Sequence, residues 1–407
     1  MENKPKFAVL GAGHGGRAMA AYLATVGYDV SLYNRTPENI KNIQHTGGIF
    51  LAFTPDLEDY IFPKYMKVFE SRQKHEYSLS PETDEIVKEN LTYVFGKIKI
   101  VSSDIENVIK DRDVIMVVVP ASGHKYMAEK CAPHLRDGQT IILNPGRCFG
   151  AIEFHKIISD YYKDQKSPDV TIAETQTFIY ASRSTKPRTV RILGVKNSVD
   201  IAAIPSKKTK DVVDLVRDVY PQFSPIDNVL TTSLGNLGGI FHVPITILNA
   251  TKIDAKHNFK YYIDGVTKHA ALIVEDLDKE RLAIAEAMDV KTISARKWLY
   301  QTYSSVGTDL YEAIQNTHAY KLIESPRSIN HRYIWEDVPT GLIPLSSLGS
   351  KLDVPTPMID SFINLAASAF RKDFNIDFFE RGRTMEKLGL DNMSVDEIKE
   401  FVETGYK

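Results

Sequence analysis

The chain has 407 residues, 43% of them hydrophobic and 25% charged, with a formal net charge of −2. The length is too great for one hydrophobic core and predicts two or three domains, while the composition is that of an ordinary soluble globular protein. The near-zero charge excludes a global field drawing the chain to nucleic acid or anionic lipid.

The first residues, MENKPKF, run straight into AVLGAG with no apolar leader and no cleavage site, so a cytoplasmic location is expected. Runs at 7–10, 29–33, 97–101, 113–119, 140–144 and 170–174 read as strands, most of them separated by helical patterns. Such alternation predicts an α/β fold: an N-terminal Rossmann, doubly wound parallel sheet. VIMVVVPA, the most apolar stretch, is far too short to span a membrane and reads as a buried parallel strand. Cys131 and Cys148 have no CxxC spacing, which argues against a disulfide framework or a structural zinc site and fits a reducing compartment. Runs at 188–195 and 199–205 read as antiparallel strands extending the sheet. Residues 48–96 make a long connection, expected to be a surface excursion with some helix rather than a lid or partner site. From Thr209 onward helical periodicity takes over, and SVDE at 394–397 has the form of a capping box. The expected boundary lies near residue 205, with a nucleotide-binding domain at 1–205 and an all-helical C-terminal domain at 206–407.

FAVLGAGHGGRAMA places Gly11, Gly13 and Gly16 as GxGxxG between a strand and a helix. Gly11 permits the tight turn, Gly13 lets backbone approach a pyrophosphate, and Gly16 allows close helix–strand packing. His14 and Gly15 lie inside the same turn, His14 as a solvent-facing rather than catalytic residue. The second strand ends in Asn34, Arg35 and Thr36, with no carboxylate to hold a ribose 2′-hydroxyl. A guanidinium there can meet a 2′-phosphate, which favours NADP over NAD, although Arg35 stacking on the adenine would admit both. The turns VVVPASGH and LNPGRC follow strands at the edge where ligands of open α/β sheets sit. They make Pro120, Ala121, Asn144, Pro145 and Gly146 candidate nicotinamide-side contacts. Cys148 reads as a small buried filler.

GGIFHVPITILNA carries one imidazole, His242, in an otherwise apolar helical run, with Pro244 able to kink it. Alone, His242 reads as a satisfied core histidine. SINHRYIWEDVPTGLIPLSSLG adds Arg332 and Asp337 in a segment made irregular by two prolines and a glycine. Tyr261 and Tyr262 could line a pocket or pack in the core, and His331 reads as bland.

Taken together, the GxGxxG start, LNPG (143–146), HVPITILNA (242–250), FKYYIDGVT (259–267) and RYIWEDVPTGLIPLSSLG (332–349) resemble the octopine/nopaline, or opine, dehydrogenase family over nearly the whole chain except 48–96. The resemblance implies a Rossmann domain joined to a helical domain, with the active site in the cleft between them. It implies a reductive condensation in which an α-keto acid, pyruvate being the family-based choice, and an amino acid form an imine. Hydride from NADPH or NADH then reduces the imine to a secondary amine dicarboxylate. Carried over by position, His242 is the catalytic histidine, Asp337 the aspartate that orients it, and Arg332 an arginine reaching cofactor phosphate. Some relatives have an Asn one turn before the histidine where this chain has Gly238, which leaves the amino-acid substrate open. A histidine suits proton traffic near neutral pH, and a carboxylate beside it would favour the imidazolium. Partners are small molecules, with no nucleic acid and no membrane. Oligomeric state is open, a homodimer being one option. The alternatives are a 2-keto or hydroxy-acid reductase of ketopantoate reductase-like or glycerol-3-phosphate dehydrogenase-like type, disfavoured because no Lys occupies 229–250, and a nucleotide-sensing binding protein without turnover.

Overall fold

Eight strands form the main sheet, in the order β12-β11-β8-β7-β6-β1-β2-β5. They are β1 (Phe7–Leu10), β2 (Val30–Tyr33), β5 (Ile100–Ser102), β6 (Val114–Val117), β7 (Thr140–Leu143), β8 (Thr171–Thr175), β11 (Val199–Ile204) and β12 (Phe223–Pro225). The computed structural model describes residues 4–62, 91–374 and 377–406. Much of the expected excursion at 48–96 therefore lies outside the described residues. Strands β1, β2, β6 and β7 are buried at every position, the signature of a parallel sheet covered on both faces. Alternate side chains split between two cores. Ala8, Leu10, Ile115, Val117, Ile141 and Leu143 join one, which continues into the helices after residue 229. Phe7, Val9, Val30, Leu32, Val114 and Met116 join the other. As expected, β11 pairs antiparallel to β8; β12 pairs with β11 and belongs to the same sheet.

Strand β1 lies between β2 and β6, so the winding reverses there. Leu10 is in register with Tyr33 and with Val117, and Val117 with Leu143. The strands thus end side by side, and the turns after β1, β6 and β7 emerge along one carboxyl edge at the switch point.

The expected extension of the main sheet by 188–195 is corrected. That run is β10 (Thr189–Val195), and it sits in a second, four-stranded sheet ordered β4-β3-β10-β9, with β3 at Gly48–Phe53, β4 at Thr92–Lys97 and β9 at Tyr180–Lys186. Strand β10 runs antiparallel to β9 and parallel to β3. This sheet packs on the helix His14–Thr25. The run 97–101, expected as one strand, is where the chain changes sheets. The Ile98 N–H donates to Gly47, just before β3 of the small sheet, and the Lys99 N–H to Val30 in the large one.

The helical half opens with Val229–Leu234, whose Asn228 side chain accepts from the Leu230 and Thr231 N–H groups. The long apolar run at 229–253 divides here into three helices, continuing as Gly238–Leu248 and Ala250–Asp254. Lys268–Ala287 and Pro357–Phe374 follow, and the capping box at Ser394 and Glu397 opens Val395–Thr404 with both bonds made. Among the described residues no helix is long and apolar enough to cross a membrane.

One side chain from the C-terminal region ties the halves together. Arg383, 2% exposed, donates to the carbonyls of Gly146 (3.0 Å), Cys148 (2.9 Å) and Ala121 (3.3 Å), to His124 Nδ1 (2.9 Å) and to Glu153 (2.9 Å). His124 accepts as a neutral ring, because burial and then the Arg383 charge push its pKa well down.

Candidate active site

The glycine turn has the geometry its spacing predicts. Gly11 has φ +113°, and a Cβ there would stand 2.4 Å from the Val118 carbonyl oxygen. A Cβ on Gly16 would stand 1.7 Å from the Gly11 oxygen, so the helix crosses the strand end with no room for a side chain. A Cβ on Gly13 would meet nothing within 4 Å, so this backbone faces open space just where a twelve-residue helix presents its N-terminus. Free N–H groups, a positive dipole end and a bare approach path fit a pyrophosphate. Gly15 backs onto the Phe178 ring. His14 is exposed, and its Nδ1 accepts from the Ser184 N–H at 2.9 Å, pinning the turn to β9. Its pKa is lowered by partial burial and by the charges of Arg183, Arg17 and Arg332.

At the end of β2, the Asn34 side chain is committed to the backbone of Ala12 and Thr36. Its Oδ1 accepts from the Ala12 N–H at 3.1 Å, and its Nδ2 donates to the Thr36 carbonyl at 2.9 Å, so it braces the phosphate turn. Arg35 and Thr36 are exposed, with the Arg35 guanidinium 5.3 Å from the Tyr126 ring centre. Along the same edge Pro120 is exposed and Ala121 buried. Asn144 is buried, its Oδ1 without a hydrogen-bond partner. Pro145 follows, and Gly146 is pressed against Glu174 so tightly that a Cβ would stand 2.2 Å from Oε2. Cys148 is a buried filler as expected, its thiol pushed up to about 12 by burial.

The imidazole and the acid meet. His242 Nδ1 lies 2.8 Å from Asp337 Oδ2, across 95 residues of sequence. Its Nε2 lies 3.1 Å from the Tyr262 hydroxyl, and its ring stacks on Tyr333 at 4.1 Å and 19°. The side chain keeps 15% exposure while Asp337 has none. Pro244 sits inside the helix Gly238–Leu248, and Tyr261 donates to the His242 carbonyl at 2.8 Å. Asp337 precedes a buried π-helical turn, Val338–Leu342, built on the predicted proline and glycine. Burial opposes ionisation of Asp337, but the charges of Arg147 and then His242 outweigh it and hold the carboxyl below its usual range.

Arg147 is the partner that the sequence did not disclose. Its Nε donates to Glu336 Oε1 at 3.1 Å, and its Nη1 lies 3.1 Å from Asp337 Oδ1. Burial works against its charge; Asp337 and Glu336 more than offset that and raise its pKa. Glu336 also accepts from the Ala121 N–H at 3.3 Å, joining the dyad to the turn after β6. Arg332 is exposed, 3.7 Å from Glu336 Oε2, and close enough to the glycine turn for its charge to act on His14. His331 is held down to about 4 by burial and by Arg332, a neutral ring edge-on to Tyr333. Tyr262, 5% exposed, packs on Tyr320 at 3.9 Å, the core role the sequence allowed, and its hydroxyl touches the imidazole.

Two families match the chain in succession. Residues 6–61 match the NAD binding domain of 6-phosphogluconate dehydrogenase, and residues 225–370 match the NAD/NADP octopine/nopaline dehydrogenase alpha-helical domain. The chain is 36% identical to the opine dehydrogenase of Arthrobacter sp. (strain 1C), over 98% of each chain. Among solved structures it resembles octopine dehydrogenase with NADH and L-arginine, at a TM-score of 0.74 and 20% identity over 99% of both chains. It also resembles yersinopine dehydrogenase with NADP+ bound, at 0.69 and 15% over 99% of both.

Proposed function

The chain belongs to the octopine/nopaline (opine) dehydrogenase family, NAD(P)-dependent oxidoreductases acting on CH–NH bonds, and on that premise we propose that it joins the amino group of an amino acid to a small α-keto acid such as pyruvate. The division of labour runs near residue 205, with dinucleotide held by 1–205 and substrate by 206–407, in the cytoplasm. The nicotinamide supplies the hydride that reduces the imine formed from the two substrates. NADPH is preferred: Arg35 stands exposed at the end of β2, no carboxylate occupies 34–36, and Asn34 is spent on the phosphate turn.

What supports the reading above all is the His242–Asp337 contact at 2.8 Å, joined through Glu336 to the Ala121 turn. An ionised Asp337 only accepts, so the Nδ1 of His242 carries the proton facing it. In the neutral ring Nε2 then takes a hydrogen bond from the Tyr262 hydroxyl. In the reaction His242 takes a proton at Nε2 from the amino acid's ammonium group, freeing the amine to attack, and as imidazolium returns it to the carbinolamine hydroxyl, which leaves as water while the C=N bond of the protonated imine forms; Asp337 stabilises and aims the ring throughout. Arg332, whose charge reaches His14 in the glycine turn, would meet cofactor phosphate.

NADPH oxidation followed with pyruvate alone, then with pyruvate plus each amino acid, tests the reading. Oxidation that needs both substrates supports it. Oxidation with the keto acid alone makes the chain a plain reductase, and none under any pairing makes it a binding protein. His242→Ala should abolish turnover and leave NADPH binding nearly intact; activity surviving within a few-fold overturns the assignment.

A further inference from the structure

Arg147 occupies the turn after β7 with φ +60°, a left-handed conformation that non-glycine residues seldom adopt without local compensation. Its side chain is 10% exposed, and one guanidinium spans two consecutive acids, Glu336 and Asp337. The space it fills is opened by Gly238. A Cβ there would stand 1.9 Å from Arg147 Nη1 and 2.6 Å from Asp337 Oδ1. Gly238 lies four residues before His242, hence on the same helix face. Asp337 therefore has a charge partner on each side, the imidazole hydrogen-bonded at Oδ2 and the guanidinium paired by charge at Oδ1, which makes no hydrogen bond.

We propose that Arg147, seated against the bare backbone of Gly238, is a positioning residue that fixes the Asp337 carboxylate toward His242. The proposal rests on the His242 reading above and adds to it a group from the sheet half of the chain. The charged and titratable groups around Asp337 are Arg147 from the β7 turn, His242 from its helix, Tyr261 and Tyr262 from the following loop, and His331, Arg332, Tyr333 and Glu336 from its own segment. The Arg147 charge is the largest single influence favouring the ionised acid, with His242 acting through both its charge and its hydrogen bond and Arg332 behind them.

The sign follows from a carboxyl whose pKa is depressed: the anion is present above that pKa and is lost as pH falls through it. Without the guanidinium, burial regains weight and the pKa rises. In Arg147→Met the acid limb of the pH–kcat profile should move to higher pH by about one to three units, with Arg147→Lys in between. Unfolding in urea reads the same acid without turnover. The stability gap between native and Arg147→Met chains should shrink as pH falls from neutrality, first as the variant's carboxyl takes up its proton and then as the native one does below the usual carboxylate range, since a protonated acid has no charge for the guanidinium to hold. Gly238→Ala should lower kcat at least tenfold in the native chain and by less in an Arg147→Ala background, where two of the three nearest atoms are gone and only the Asp337 Oδ1 contact at 2.6 Å remains. An unmoved acid limb, a pH-independent stability gap, or equal cost of Gly238→Ala in both backgrounds overturns the proposal. So does a rise in KM for the keto acid alone, which would make Arg147 a substrate anchor. If His242→Ala stays active the earlier reading fails; if His242 matters and these readouts do not move, only the role of Arg147 fails.

Discussion

Replacing Arg383 by Met keeps an unbranched stem in place and deletes the guanidinium alone. The group is 2% exposed and serves five partners: three carbonyls on the turns carrying Ala121, Gly146 and Cys148, the neutral His124, and Glu153. Each hydrogen bond to a charged group contributes about 1.5–3 kcal/mol, but five on one side chain do not add. Breaking a buried ion pair from one side costs about 3–5 kcal/mol, because the survivor is left desolvated. Glu153 keeps 21% exposure and can recover some water, which sets the expectation toward the lower end. The carbonyls of Gly146 and Cys148 have no such recourse if they stay buried. Arg383→Met should therefore lose about 3–4 kcal/mol, against a total that for folded proteins is on the order of 5–15 kcal/mol. Equilibrium urea unfolding followed by far-UV circular dichroism measures it. A loss below about 1 kcal/mol would mean that the turns hold their positions without the clamp, and the argument from buried partners would be wrong.

Gly16→Ala places a methyl 1.7 Å from the Gly11 carbonyl, so the turn must open; NADPH affinity by fluorescence titration should fall at least tenfold, and unchanged affinity would remove the close-packing argument. Arg35→Ala should cost NADPH about tenfold or more in Kd and leave NADH nearly unaffected, since one charge-assisted contact to a phosphate is at stake; equal losses for both would defeat the NADP preference. Ser394→Ala removes the bond that the Ser394 hydroxyl accepts from the Glu397 N–H, leaves the backbone N–H at 394 on the Glu397 carboxylate, and should lower stability by about 1 kcal/mol in urea, an exposed change with no effect on kcat.

The legible part of the fold is the local part. Phe7–Leu10, the glycine turn and His14–Thr25 are contiguous, so strand, turn and helix each leave their pattern in one short stretch. The small sheet is different. The alternation of β10 announces a strand and says nothing of its neighbour, while β9 (Tyr-Ala-Ser-Arg-Ser-Thr-Lys) has almost no apolar alternation to announce. The run at 97–101 looked continuous because hydrophobicity does not record which sheet each backbone group bonds. His242 and Asp337 were paired through the family resemblance, since no local signal links residues 95 apart. Arg147 lies in a turn whose sequence points to the site, yet nothing local marks its own part: its burial depends on a glycine in the helix Gly238–Leu248 and on acids 189 and 190 positions away. Arg383 reaches back more than 230 positions, through a single side chain without a motif.

The Glu336–Arg147 pair has an implication for engineering. Imidazole and aspartate both come from the helical half, yet the cation lying against the aspartate is delivered by a loop of the other half. A chimera that took its helices from this chain and its nucleotide sheet from a relative lacking that arginine would enclose two neighbouring acids without the buried cation that bridges them, leaving only the imidazole and the exposed Arg332 beside them. Donor and acceptor scaffolds must therefore be exchanged with residues 147 and 238 as a matched set.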